Sequence, residues 1–160
     1  MLAFKPRSVQ EIHCDLERKG FPATLVDEVV TYLVEEGYLD DHALAASVVA
    51  NGQDKHKSRP EIYALLRSRK IDRDLAEISL LEFYCQEKEL QAIRHLAERR
   101  LKACASPPGR VEADKIIGKI SRKGFNAVAV RAVLYKLLNG SLHDQDGDSP
   151  SFLDTADGLS

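Results

Sequence analysis

Three cysteines, Cys14, Cys85 and Cys104, and five histidines are the side chains of this 160-residue chain best suited to nucleophilic or metal chemistry. His13 adjoins Cys14, but adjacent residues on a helix point in different directions, so the two do not make a nucleophile–base pair. A buried structural cysteine is the better reading of Cys14. Cys85 and His95 have no further ligands near them at zinc spacing. No glycine-rich phosphate loop follows a strand, and no pair of carboxylates stands apart from the general scatter of Glu and Asp. The pattern predicts no catalytic residue, no metal site and no cofactor.

The cations carry more information. Lys55, Lys57 and Arg59, with His56 among them, precede a segment that bears Arg67, Arg69 and Lys70. Arg99 and Arg100 close another apolar-periodic segment, and Arg122 and Lys123 sit at a turn. Such groups neutralise phosphates or match an acidic protein surface. The competing reading is a solvated face whose Lys and Arg offset the negative ends of helix dipoles. The net charge of −2 hides a strong segregation. Residues 1–50 carry 4 basic and 9 acidic groups, residues 54–73 carry 7 and 3, and residues 94–123 carry 9 and 3. After Leu138 there are five Asp and no base. No aromatic residues interleave with the bases as a stacking platform requires, so any nucleic-acid contact is expected to be electrostatic and not base-specific.

Helices must position these groups. Ala, Leu, Glu, Lys and Arg dominate, aromatics are 6%, and Trp is absent. Val9, Ile12 and Leu16 recur at helical spacing behind a Ser8–Glu11 capping box. Gly20 then stops the helix, and Phe21 and Pro22 begin a second, with Leu25, Val26, Val29, Val30 and Leu33 expected on its inner face. Gly37 ends that helix, and Asp40 or Asp41 caps a short third one through Leu44 and Val48. Moving 50 residues along restores the pattern: Ser58–Glu61 is a second capping box, and Ile62, Leu66, Ile71 and Leu75 fall on Ile12, Leu16, Phe21 and Leu25. Lys70 takes the place of the glycine and Asp72 supplies an N-cap. A shift of 104 superposes Ile116, Ile120, Gly124, Phe125, Val130, Val133 and Leu137 on the first copy, so that RKGF occurs at both 18–21 and 122–125. Between Arg73 and Cys104 no Gly or Pro marks a boundary.

The order and spacing of these motifs resemble the RecX family of bacterial recombination regulators. The likeness runs from about residue 7 to 138 and rests on Ser8, Glu11, Ile12, Leu16, Gly20, Phe21, Gly37, Tyr38, Leu39, Asp40 and Asp41. Pro60, Ile62, Leu66, Ile71 and Asp72 continue it in the second copy. The resemblance implies a non-enzymatic protein of tandem three-helix repeats that binds the RecA recombinase–DNA filament and restrains its ATPase, strand-exchange and coprotease activities. The chain departs from the family pattern where its leading helix is nearly missing, where Lys70 replaces the turn glycine, and in its acidic tail.

The expectations are therefore an all-α, elongated and curved helical array: a first three-helix repeat over 1–53, a second over 54–105, a shortened third over 106–138 and a flexible acidic tail over 139–160. Lys55, Lys57, Arg59, Arg67, Arg69, Lys70, Arg99, Arg100, Arg122 and Lys123 are the candidates for contact with the filament or its DNA. The expected partners are a RecA-type filament and single- or double-stranded DNA through its phosphates, with a monomeric, cytoplasmic protein and no membrane. A helical adaptor for another protein, or for nucleic acid directly, is the alternative. The first helix pair looks like a helix-turn-helix, but residues 22–36 bear Asp27, Glu28, Glu35 and Glu36 and no base, so a DNA groove would repel them.

Overall fold

A computed structural model describes residues 6–104 and 108–143, with side chains to 140. Every regular element among them is a helix: α1 (Val9–Arg18), α2 (Ala23–Glu35), α3 (Asp41–Asp54), α4 (Arg59–Ser68), α5 (Arg73–Phe83), α6 (Gln86–Lys102), α7 (Arg110–Ser121) and α8 (Ala127–His143). No described helix is long and apolar enough to cross a membrane.

Local chemistry sets most of the boundaries. Ser8 and Ser58 each accept the N–H of the Glu three residues on, and each Glu carboxylate accepts the Ser N–H in return. At α7 only half of this box survives, because Gly109 has no hydroxyl and only its N–H reaches Glu112 (2.9 Å). Asp40 caps α3 through the Ala43 N–H (2.9 Å), while the neighbouring Asp41 carboxylate accepts the Val9 N–H (2.9 Å) and ties the start of α3 to that of α1. Burial raises the Asp41 carboxyl above its ordinary range, and the Val9 bond only partly opposes this.

Four elements differ from expectation. The third helix, expected to be short, has 14 residues. α8 continues past position 138 to His143, and the rest of the expected tail lies outside the described residues, as does the Ser106–Pro107 part of the linker. Cys14 is half-buried rather than buried. The unmarked stretch after Arg73 breaks at Tyr84 and Cys85, which are extended. The cause is tertiary: the buried Gln53 side chain of α3 donates to the Cys85 carbonyl (2.8 Å) and accepts its N–H (3.1 Å). Gln53 thereby gives the Cys85 N–H an acceptor at the break, while the Cys85 carbonyl also accepts the Glu89 N–H (3.2 Å) as the first bond of α6.

The core forms two clusters. One joins α3 to the α4–α5 pair around Leu44, Val49, Ile62, Leu66, Ile71 and Leu80. The other joins α6 to the α7–α8 pair around Ile93, Ile116, Ile120, Phe125, Val130 and Leu134. Each cluster therefore packs the helix that closes one sequence unit against the helix pair that opens the next. The α1–α2 pair has no such helix laid across it among the described residues, and its burial shows this. Ile71 and Phe125 are 0% and 3% exposed, whereas the equivalent Phe21 is 48% exposed. Leu25 and Val29, expected on the inner face of α2, are likewise exposed, and of the expected set only Val26 and Val30 are buried.

Candidate functional site

The turns that join each helix pair are where neighbouring units touch. Gly20 and Gly124 both have positive φ (86° and 98°), the left-handed conformation that ends α1 and α7. Lys70 holds the same conformation (φ 54°) without being glycine. Around Gly20 there is open space, whereas a Cβ on Gly124 would lie 2.7 Å from the Pro60 ring and 3.1 Å from Ser58 Oγ. The third unit's turn is thus pressed against the start of α4, and the Ser58 hydroxyl donates to the Lys123 carbonyl. The equivalent joint between the first two units uses Arg69, which occupies the Lys123 position one repeat earlier.

The two joints have opposite electrostatics. At the first, the Arg69 guanidinium donates to Glu11 from Nε (2.8 Å) and also to the Pro6 carbonyl. Burial pushes the Glu11 carboxyl up, but the bonds from Arg69 and the Ser8 N–H, with the charges of Arg69 and Arg7, outweigh it and hold the group below its usual range. A cavity of about 360 Å³ beside this pair is lined by Arg7, Arg18, Arg69 and Lys70, and also by Glu11 and Asp15, so its charges are largely answered. Asp15 binds both Arg7 (2.8 Å) and Arg18.

At the second joint the cations are unanswered. A cleft of about 100 Å³ is lined by Leu96, Arg99 and Arg100 of α6 and by Lys119, Ile120 and Lys123 of α7 and its turn. No acid lines it, and none of its four cations has an ion pair among the described residues. The Ser58–Lys123 bond places Lys57 and Arg59, which flank Ser58, beside the same turn. His56 stacks on His95 of α6 (ring centroids 4.3 Å apart), a further tie between this segment and α6. Over residues 86–143 the chain carries 12 basic and 5 acidic groups.

Of the ten candidates, the structure brings Arg99, Arg100 and Lys123 into the cleft and sets Lys57 and Arg59 next to it. Arg122 is at the same turn, with its Nε–H on the Gly118 carbonyl (3.1 Å). Lys55 caps the end of α3. The other three stand at the first joint: Arg69 is neutralised by Glu11, Arg67 donates to the Ile71 carbonyl (2.6 Å), and Lys70 is exposed. Lys119 was not among the candidates. Its only sequence signal is its place in the last turn of α7, facing the cleft from the helix opposite Arg99 and Arg100. Among the described residues no group of His, Cys, Asp and Glu is arranged to hold a metal ion.

Comparison with known proteins now adds to this geometry. Residues 1–33 match the family model of the RecX first three-helix domain. Regulatory protein RecX of Geobacillus kaustophilus is 31% identical over 134 residues, which are 83% of this chain and 49% of that protein. The Thermobifida fusca RecX regulatory protein is 27% identical over 154 residues, 94% of this chain and 80% of that one. The chain spans about half the length of the Geobacillus relatives it matches. In fold it is similar to the crystal structure of RecX from Lactobacillus salivarius, with a TM-score of 0.75 over 85% of this chain and 88% of that one at 21% identity. In sequence the chain is similar to the RecX regulatory proteins over most of its length, and in its all-helical fold to a solved RecX structure.

Proposed function

We propose that this chain is a cytoplasmic regulator without an active site that binds a RecA-type recombinase filament on DNA and restrains its ATPase, strand exchange and coprotease functions. Kinship with RecX regulatory proteins supports the class of activity. The single observation that carries the reading is the basic seam at the second joint. An array whose α1–α2 end is acidic, and whose α6–α8 end gathers unpaired cations in one cleft, presents both a protein-compatible surface and a phosphate-compatible one. The three sequence units, 1–53, 54–105 and 106–138, act in this reading as one platform for the filament's periodic surface.

The test is to titrate the purified chain into RecA filaments and follow DNA-dependent ATP hydrolysis. Inhibition at substoichiometric amounts is expected, and reversing Arg99 and Arg100 to Glu should weaken it at least about tenfold, as loss of two phosphate or carboxylate partners would. No change in hydrolysis at micromolar excess would sink the filament reading. If the chain then still bound free DNA, the adaptor alternative would take its place.

A further inference from the structure

Four positive side chains from α6, α7 and the turn after α7 share the cleft, and nothing within the described molecule neutralises them. Elsewhere the chain spends its acids on its bases: Asp15 on Arg7 and Arg18, Glu11 on Arg69, Glu77 on Arg73, Asp54 on Lys88 and Glu98 on Arg94. Compensation of helix dipoles does not account for the cluster. Each helix C-terminus presents roughly half a negative charge, so two ends offset about one of the four cations and leave about three. Like charges held this close repel unless an anion joins them. Leu96 and Ile120 form apolar walls between the exposed cations.

We propose that this cleft is a nucleic-acid phosphate site, in which Arg99, Arg100, Lys119 and Lys123 clamp one phosphodiester and the strand continues past Lys57 and Arg59 at the start of α4. Its volume, about 100 Å³, has room for one tetrahedral anion. The basic groups do not stop at the cleft, because the Ser58–Lys123 bond extends them along the joint. A single protein carboxylate would answer one of these charges. A nucleic-acid strand advances one charge for about every 3.4 Å of axis and answers them in series. No aromatic side chain lines the cleft, so recognition is of the backbone and independent of sequence. Lys119, which the sequence pattern did not single out, is assigned the same role as Arg99 and Arg100. This deepens the filament reading by assigning one part of the contact to DNA, and it is tested without recombinase.

The experiment uses the full chain and a fluorescein-labelled 20-residue oligothymidylate, with anisotropy read between 50 and 200 mM salt. Two double variants, Arg99→Gln with Arg100→Gln and Lys119→Gln with Lys123→Gln, are compared with Arg73→Gln on α5, whose charge Glu77 answers. Each double variant should shallow the log–log salt slope by about 1.4, since each lost contact to a single strand contributes about 0.7. Arg73→Gln should leave the slope unchanged. Far-UV circular dichroism confirms that these exposed substitutions leave the fold intact. Slopes equal to wild type in both double variants, or an equal loss in Arg73→Gln, would overturn the site. So would a poly-glutamate peptide that binds as tightly as the oligonucleotide at matched salt, which would make the cleft an acidic-protein site. Loss of the site with ATPase inhibition intact would remove the phosphate assignment and leave the filament reading standing.

Discussion

The repeated RKGF turn offers a direct test of how units join, through one substitution made at two equivalent positions. Gly20→Ala and Gly124→Ala each force alanine into the left-handed region, at a cost of about 1–2 kcal/mol. Each also recovers about 0.4–1 kcal/mol because alanine restricts the unfolded chain. At Gly20 the new methyl meets open space, so the net cost should be about 0.5–1.5 kcal/mol. At Gly124 it meets the Pro60 ring at 2.7 Å and Ser58 Oγ at 3.1 Å, and a proline ring cannot rotate aside. Overpacking of this kind adds about 1–3 kcal/mol, for a total of about 2–4. The Ser58–Lys123 bond should loosen with it. Urea unfolding gives the overall loss, and native-state amide exchange at α1–α2 and α7–α8 separates the two sites. Equal losses within about 0.5 kcal/mol would show that the turn of the third unit is not pressed against α4, and would refute the account of the joint.

Two further perturbations probe the other contacts. Glu11 has its folded pKa depressed, so the stability it contributes is present above its ordinary value of 4.5 and is lost as pH falls through the lower folded value. Wild type and Arg69→Gln should therefore differ in melting temperature at pH 7 and converge as pH falls from 4.5 through the lower folded value; a gap that persists once Glu11 is protonated would assign the role of Arg69 to packing instead. Gln53→Leu strands the N–H of Cys85 at the α5–α6 break, while its carbonyl keeps the Glu89 N–H, and should cost about 1–3 kcal/mol in urea unfolding. A neutral result would show that water satisfies the break without help from Gln53.

Much of the architecture is legible in the chain because its causes are local. A Ser and a Glu three residues apart can satisfy each other's backbone groups without any tertiary partner, which is why the starts of α1 and α4 follow from the residues alone. The repeats are legible for the same reason, since apolar spacing on each helix pair is copied from unit to unit. The α5–α6 break is not legible, because it is made by a glutamine 32 residues away that carries no local signal. The candidate site divides in the same way. Basic residues at helix ends are visible as a charge excess, but not which of them an acid will claim.

Sequence by itself determined the helical class, the Ser–Glu caps and the glycine turns, because each depends on interactions within a few residues. Tertiary structure alone decided that identical RKGF turns have different fates. Phe21 stays half-exposed where no described helix crosses it, and Phe125 is buried under α6. It also decided that Arg69 meets Glu11 while the equivalent Lys123 joins Arg99, Arg100 and Lys119 in a cleft that no acid lines among the described residues. Burial and charge pairing are properties of what packs across a residue, and that neighbour comes from another part of the chain.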